Sequence, residues 1–318
     1  MAFHPIERLI LMITGALIVS DAFLIWWKDI NVSSDFFLTS VGVAALFIGI
    51  GQIYRRWRDS ERIALTMHAI ALFLVFSVFC ALFNLLLLPR PTAPIDFVLV
   101  QIDAWLGYSW PALCAWVANF PLLNAVLRTV YLLTLAQLFL AFVLLGMSLD
   151  RRRLHAGALA VVVSALVVIF CWALFPSGGA SAYWQLDPEI DAIVRPVVNS
   201  EYGAMLYRLY ADGVHDITAL QVTGLIGFPS FHTVMGLISL MAVWPYRAFR
   251  IALLVLNAFL APAILIHGGH NLVDVFAGVL IGATAWCLSL AAFDAYERSA
   301  HRKAAMAVTH RDYAVGAR

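Results

Sequence analysis

Gly227-Phe228-Pro229-Ser230-Phe231-His232-Thr233 and His267-Gly268-Gly269-His270-Asn271-Leu272-Val273-Asp274 are the two stretches in which this chain sets ionisable side chains against long apolar runs. Each lies where such a run meets a polar connection. His270 and Asp274 are four residues apart, so a helix running on from His270 places both on one side of its first turn. A carboxylate in that position holds one imidazole nitrogen, fixes the tautomer, and leaves the other nitrogen as a nucleophile or base. His232 arrives from a separate segment and offers a second proton-transfer group. A lone Asp at the end of a membrane helix reads as a structural cap. Two histidines and an aspartate together near lipid are expensive unless paired, which points to function.

The surroundings decide the fold class. The 318 residues are 63% hydrophobic and 12% charged, with a mean hydropathy of +0.89. That composition excludes an ordinary soluble domain and predicts an all-α polytopic membrane protein. A spanning helix needs about 20 mostly apolar residues. Eight segments qualify, at about 9–27, 36–54, 63–88, 129–149, 154–176, 229–245, 248–267 and 272–293. The sixth is closed early by Pro245. A net charge of +1 gives no sign of a nucleic-acid partner. Cys80, Cys114, Cys171 and Cys287 are scattered, with neither metal-ligand nor disulfide-framework spacing.

Basic residues set the orientation. With eight spans and the N-terminus inside, Arg8, Arg55, Arg56, Arg58, Arg62, Arg151, Arg152, Arg153, Arg247, Arg250, Arg298, Arg302, Lys303, Arg311 and Arg318 fall on the cytoplasmic side. Lys28, Arg90, Arg128, Arg195 and Arg208 remain on the other. The split of 15 to 5 places both histidine motifs on the non-cytoplasmic face, which in a bacterial-type inner membrane is the periplasmic one.

Along the chain, residues 1–62 read as an N-terminal transmembrane hairpin, 63–299 as the core that carries the motifs, and 300–318 as a basic, mobile cytoplasmic tail. Asp21 inside the first span reads as a residue facing the bundle. Pro89-Arg90-Pro91 stops the third span. Residues 96–120 are apolar, broken by Gly107 and Pro111, and rich in tryptophan, as in a segment lying along the interface. Arg128 opens the fourth span and either snorkels or clamps phosphate oxygens. In the polar connection 177–226, Ile190, Ile193, Val194 and Val197 predict a short helix. Arg208 stands there among aromatic and aliphatic neighbours as a second candidate phosphate contact.

Pro229-Ser230-Phe231-His232 and His270-x-x-x-Asp274 resemble the second and third signatures of the type-2 phosphatidic acid phosphatase superfamily. The wording from Phe228 to Thr233 and from Gly268 to Gly278 is most similar to its inositol phosphorylceramide synthase-like branch. The resemblance covers roughly Asp96 to Gly282. It implies that His270 attacks phosphorus, that Asp274 orients it, and that His232 protonates the leaving oxygen, with no cofactor. The superfamily's first signature lacks a full match: Phe83 and Pro188 stand where a lysine precedes Arg90-Pro91 and Arg195-Pro196. Ala263-Ile264 replaces the Ser-Arg pair expected before the nucleophile.

The expected fold is therefore a six-helix phosphatase-type core plus the N-terminal hairpin, about eight transmembrane helices in all. The expected activity is that of an integral-membrane lipid phosphatase or phosphotransferase. It would act on a lipid phosphate or phospholipid in the bilayer, with transfer of an inositol-phosphate-like headgroup as one form. Catalysis falls on His270, His232 and Asp274, and phosphate binding on Ser230, Arg128 and Arg208. Two other classes compete. His267, His270 and Asp274 as ligands would make a metal-dependent membrane hydrolase. The same groups as a proton relay would make a transporter.

Overall fold

The computed structural model describes residues 4–217 and 225–316. Helix α1 (Pro5–Lys28) starts with a reciprocal cap: His4 Nδ1 accepts the Ile6 N–H and the Glu7 carboxylate accepts the His4 N–H. A two-residue strand, β1 (Asn31–Val32), leads into α2 (Ser34–Arg56) and then α3 (Glu61–Leu86). The α3 ladder stops before Pro89, which has no N–H to continue it. Lys28 Nζ donates to the Leu86 and Leu88 carbonyls, each at 2.6 Å, so the hairpin supplies the cation at that helix end.

Residues 96–120 form two short helices, α4 (Asp96–Trp105) and α5 (Trp110–Ala118). Trp105 and Trp116 face outward, whereas Trp110 is buried at 1% exposure. The expected fourth span begins earlier than hydropathy suggested. It is a pair, α6 (Pro121–Leu132) and α7 (Thr134–Met147), bent by 51°. No proline sits at the bend. The Thr134 hydroxyl donates to the Tyr131 carbonyl at 2.8 Å, and such back-bonding next to the break tilts one half against the other.

Helix α8 (Arg151–Leu174) opens with Asp150 accepting the Arg153 N–H, and packs against α1, α3 and α7. The long connection holds α9 (Ala180–Tyr183), α10 (Pro188–Val194), α11 (Ser200–Asp212) and β2 (Asp216–Ile217). The expected short helix is α10. Strand β2 pairs in parallel with β1, Asn31 opposite Asp216, which ties the N-terminal hairpin to this connection. Three helices follow: α12 (Phe231–Ala242), α13 (Arg247–His267) and α14 (Leu272–Gly316). Both α12 and α14 pack on α8 and on each other.

Among the described residues six helices are long and apolar enough to cross a membrane: α1, α2, α3, α8, α13 and α14. The bent pair makes a seventh if counted as one span. The expected sixth span is corrected to the 12-residue α12, about 18 Å long at 1.5 Å per residue and short of a bilayer core. Helix α14 runs through the expected boundary at 299/300 and on to Gly316. The chain is an all-α polytopic membrane protein of the expected class.

The two ends of the bundle differ in charge. At one end Glu61 pairs with Arg55 and Arg151 at 3.3 and 2.9 Å, and Arg152 forks onto Asp294 at 2.6 Å. Both histidine motifs lie at the other end, where α13 finishes and α14 begins.

Candidate active site

The candidate catalytic loop is Gly268–Asn271, between α13 and α14. Gly269 has φ of +61°, which an L side chain rarely adopts, and an added Cβ would run into the Ser181 hydroxyl. The loop is also held from outside. Ser181 N–H donates to the Gly269 carbonyl at 3.1 Å, and Val198 N–H to that of His267 at 2.9 Å. Tyr108 donates its hydroxyl to the His270 carbonyl at 3.2 Å. Asp103, on α4, accepts the Leu272 N–H at 3.1 Å on both oxygens and the Val273 N–H at 3.4 Å. It thus caps the start of α14 from 169 residues away in sequence.

The expected i,i+4 pair is present. His270 Nδ1 lies 3.1 Å from Asp274 Oδ2, and the same oxygen accepts the Asn271 N–H at 2.9 Å. Asp274 is fully buried, and its Oδ1 has no hydrogen-bond partner among the described residues. With Nδ1–H donated to the carboxylate, the Nε2 lone pair is free, and the Ser230 hydroxyl faces it at 3.4 Å. Burial pushes His270 down to about 4, with an interaction at the Gly227 backbone working the other way. The imidazole is therefore neutral at ordinary pH, the form a nucleophile needs.

The approach of α12 to α14 brings the second motif to the first. Ser230 N–H donates to the Asp274 carbonyl at 3.0 Å. One turn on, a Cβ at Gly278 would sit 2.5 Å from the Ser230 carbonyl and 2.8 Å from Thr233 Cβ, so only glycine permits this crossing. His232 follows on the first turn of α12. Its ring stacks on Tyr131 at 4.4 Å and stands edge-on to His270, with the centroids 6.4 Å apart.

His267 does not join them. It ends α13 fully buried, with Nε2 3.2 Å from the Asn124 carbonyl. Among the described residues no three His, Cys, Asp or Glu side chains are arranged to hold a metal ion, so the alternative ligand set His267, His270 and Asp274 is not assembled. Arg128, on α6, directs Nη1 to the Arg195 carbonyl. Arg208 is exposed on α11. Neither is among the described contacts of His270, His232 or Asp274.

The supporting carboxylates escaped the reading of the sequence. Besides Asp103, the buried Asp96 takes Ser177 Oγ at 2.7 Å, the N–H groups of Gly178 and Gly179 at 3.1 and 2.9 Å, and the Tyr207 hydroxyl at 2.9 Å. It holds the turn after α8, whose Ser177 carbonyl in turn accepts the Gly227 N–H. The available signal was two acids in an otherwise apolar, tryptophan-rich segment, a costly placement unless they are paired.

A family model described as PAP2 superfamily matches residues 98–288, which include both motifs. No curated protein and no solved structure matches the chain. The matched stretch is more than half of the sequence and contains the whole His270, Asp274, Ser230 and His232 arrangement; the chain belongs to the PAP2 superfamily, a membrane family of phosphatase type.

Proposed function

We propose that this protein is a lipid phosphatase or phosphotransferase working through a phosphohistidine at His270. One observation carries the reading: a buried carboxylate holds Nδ1 of His270, leaving Nε2 to face a hydroxyl, with a second histidine edge-on to the ring at 6.4 Å between centroids. In the first half-reaction Nε2 attacks phosphorus and the ester P–O bond breaks. Burial holds His232 down to about 3 in the empty site, so it takes up its proton together with the phosphate anion and then gives it to the leaving oxygen, and Asp274 stabilises the positive charge growing on His270. In the second half-reaction water or an alcohol attacks, the N–P bond breaks, and the incoming proton restores His232. Ser230, Arg128 and Arg208 are the proposed phosphate contacts, the arginines requiring a substrate to draw them in. No step draws on a metal or cofactor.

The charge asymmetry of the basic loops supports an active site on the periplasmic face of a bacterial-type inner membrane. Residues 1–62 then form an accessory hairpin on a core spanning 63–299. The likeness of the Gly268–Gly278 wording to inositol phosphorylceramide synthases directs attention to transfer between headgroup and lipid alcohol. The test is to incubate purified protein with labelled lipid phosphates, with and without candidate alcohols, and identify every product. Inorganic phosphate alone without an acceptor, and a phosphorylated alcohol with one, are expected. Undiminished product formation by His270→Ala would refute the proposal.

A further inference from the structure

The two histidines are held in different ways. His270 has Asp274 on one ring nitrogen, a partner that orients the ring and balances its charge. His232 has no hydrogen-bond partner among the described residues, and its ring contacts there are Tyr131 and His270. Tyr131 is the nearer, 4.4 Å between centroids with the planes 25° apart, so the phenol lies face to face with the imidazole. It stands at the end of α6, beside the break where Thr134 donates to its carbonyl, and it is buried. Gly268 makes room for it: a Cβ there would come 2.9 Å from Tyr131 Cε2 and 2.9 Å from His270 Cδ2. One tyrosine thus packs against both His232 and the loop that carries His270.

The surroundings of His232 oppose the charge that its task requires. Burial pushes the ring toward its neutral form, and His270 acts in the same direction. The helices packed on α12 are α7, α8, α13 and α14. Helix α7 carries no ionisable side chain, and α8 carries none beyond His155, at its opposite end, apart from the Cys171 thiol. At the end near the site α13 brings His267, and α14 brings Asp274 with His270 just ahead of it. Asp274 is already engaged by His270 Nδ1 and the Asn271 N–H. Of the two ring contacts of His232, His270 disfavours the charged imidazole and Tyr131 favours it, because the face of an aromatic ring is negative and attracts a cation.

We propose that Tyr131 is a positioning residue for proton transfer: its face holds the His232 ring edge-on to His270 and stabilises the imidazolium that protonates the leaving oxygen. The inference rests on the phosphohistidine reading for the step it assists. The proton on His232 passes to the ester oxygen as the P–O bond breaks, and the neutral ring left behind stays stacked on the phenol. Such a contact in a desolvated site favours the charged ring by about tenfold.

The test uses the full chain in detergent, with Tyr131→Phe and with the mono-, di- and trifluoro forms of phenylalanine placed at position 131. These keep the shape of the ring while draining negative charge from its face, so folding is preserved across the series. Phosphoenzyme formation is followed by rapid quench from a lipid phosphate, whose alkoxide must be protonated, and from an aryl phosphate, whose phenolate need not be. Tyr131→Phe should keep both rates. Along the fluorinated series the lipid rate should fall stepwise, by about tenfold at the trifluoro form, while the aryl rate moves by less than about threefold. Equal losses on the two substrates, or no slope along the series, would make Tyr131 a packing residue and overturn the proposal. Histidine-selective ¹⁵N NMR in a His270→Ala background saturated with inorganic phosphate reads the midpoint of His232 without turnover. That midpoint should drop by about one pH unit from Tyr131→Phe to the trifluoro form, and an unmoved midpoint overturns the proposal whatever the kinetics. A shifted midpoint in a protein whose unmodified chain forms no phosphoenzyme refutes the phosphohistidine reading alone and upholds the stabilisation of charged His232 by Tyr131.

Discussion

Asp274→Asn separates two ways in which a carboxylate can serve a nucleophilic histidine. Oδ2 accepts two N–H groups, from His270 Nδ1 and from the Asn271 backbone, whereas Oδ1 accepts none among the described residues. An asparagine placing its amide oxygen at the Oδ2 position keeps both bonds, because one carbonyl oxygen has two lone pairs. The opposite rotamer points an NH2 at the Asn271 N–H, donor against donor in a buried site. The backbone therefore selects the rotamer that preserves the His270 tautomer. What is lost is charge: a hydrogen bond to an ionised partner, worth about 1.5–3 kcal/mol, falls to a neutral one. Taking that range as the ceiling on the loss, at about 1.36 kcal/mol per tenfold, the penalty is about 10- to 150-fold. If the tautomer were reversed instead, the loss would approach the roughly 10⁴-fold seen when that happens in a serine-protease triad. The assay is rapid-quench measurement of phosphoenzyme formation from a labelled aryl phosphate, with His270→Ala as the blank. A 10⁴-fold loss would show that Asn271 does not pin the rotamer. A loss under about threefold would show that Asp274 does not support the nucleophile at all.

Three further outcomes follow from the same geometry. His232→Ala should release a near-normal burst of phenol from an aryl phosphate, whose leaving group needs no proton, and then turn over very slowly; a burst lost in His232→Ala but kept in His270→Ala would exchange their roles. Because burial lowers His270 from the ordinary 6.5 to about 4, its ring stays neutral as pH falls through 6 and protonates only near 4. Histidine-selective ¹⁵N NMR should show that midpoint, and a value at 6.5 or above would refute the burial argument. A reporter active only outside the cytoplasm should work when fused after Ser181 or Ser200 and fail at Arg318; activity at Arg318 would place the site on the other face.

The sequence by itself determined the membrane class, seven of the eight expected spans if the bent pair counts as one, and the His270–Asp274 pair, because each depends on local spacing: about 20 apolar residues to span, and four residues for one helical turn. It also singled out Ser230 and His232, since both stand in one short motif. It did not reveal the 51° bend at Leu133, which depends on one threonine hydroxyl, nor that α12 is only 12 residues long. Tertiary structure alone decided how the loop is held. Asp103 meets Leu272 across 169 residues and Tyr108 meets His270 across 162, and no periodicity links such partners. It also decided against His267, which has the right element and spacing for a metal ligand but takes the Asn124 carbonyl. The physical reason is common to all of these. In a buried setting each donor must find an acceptor, and which one it finds is a matter of where distant helices cross, not of what stands nearby in the chain.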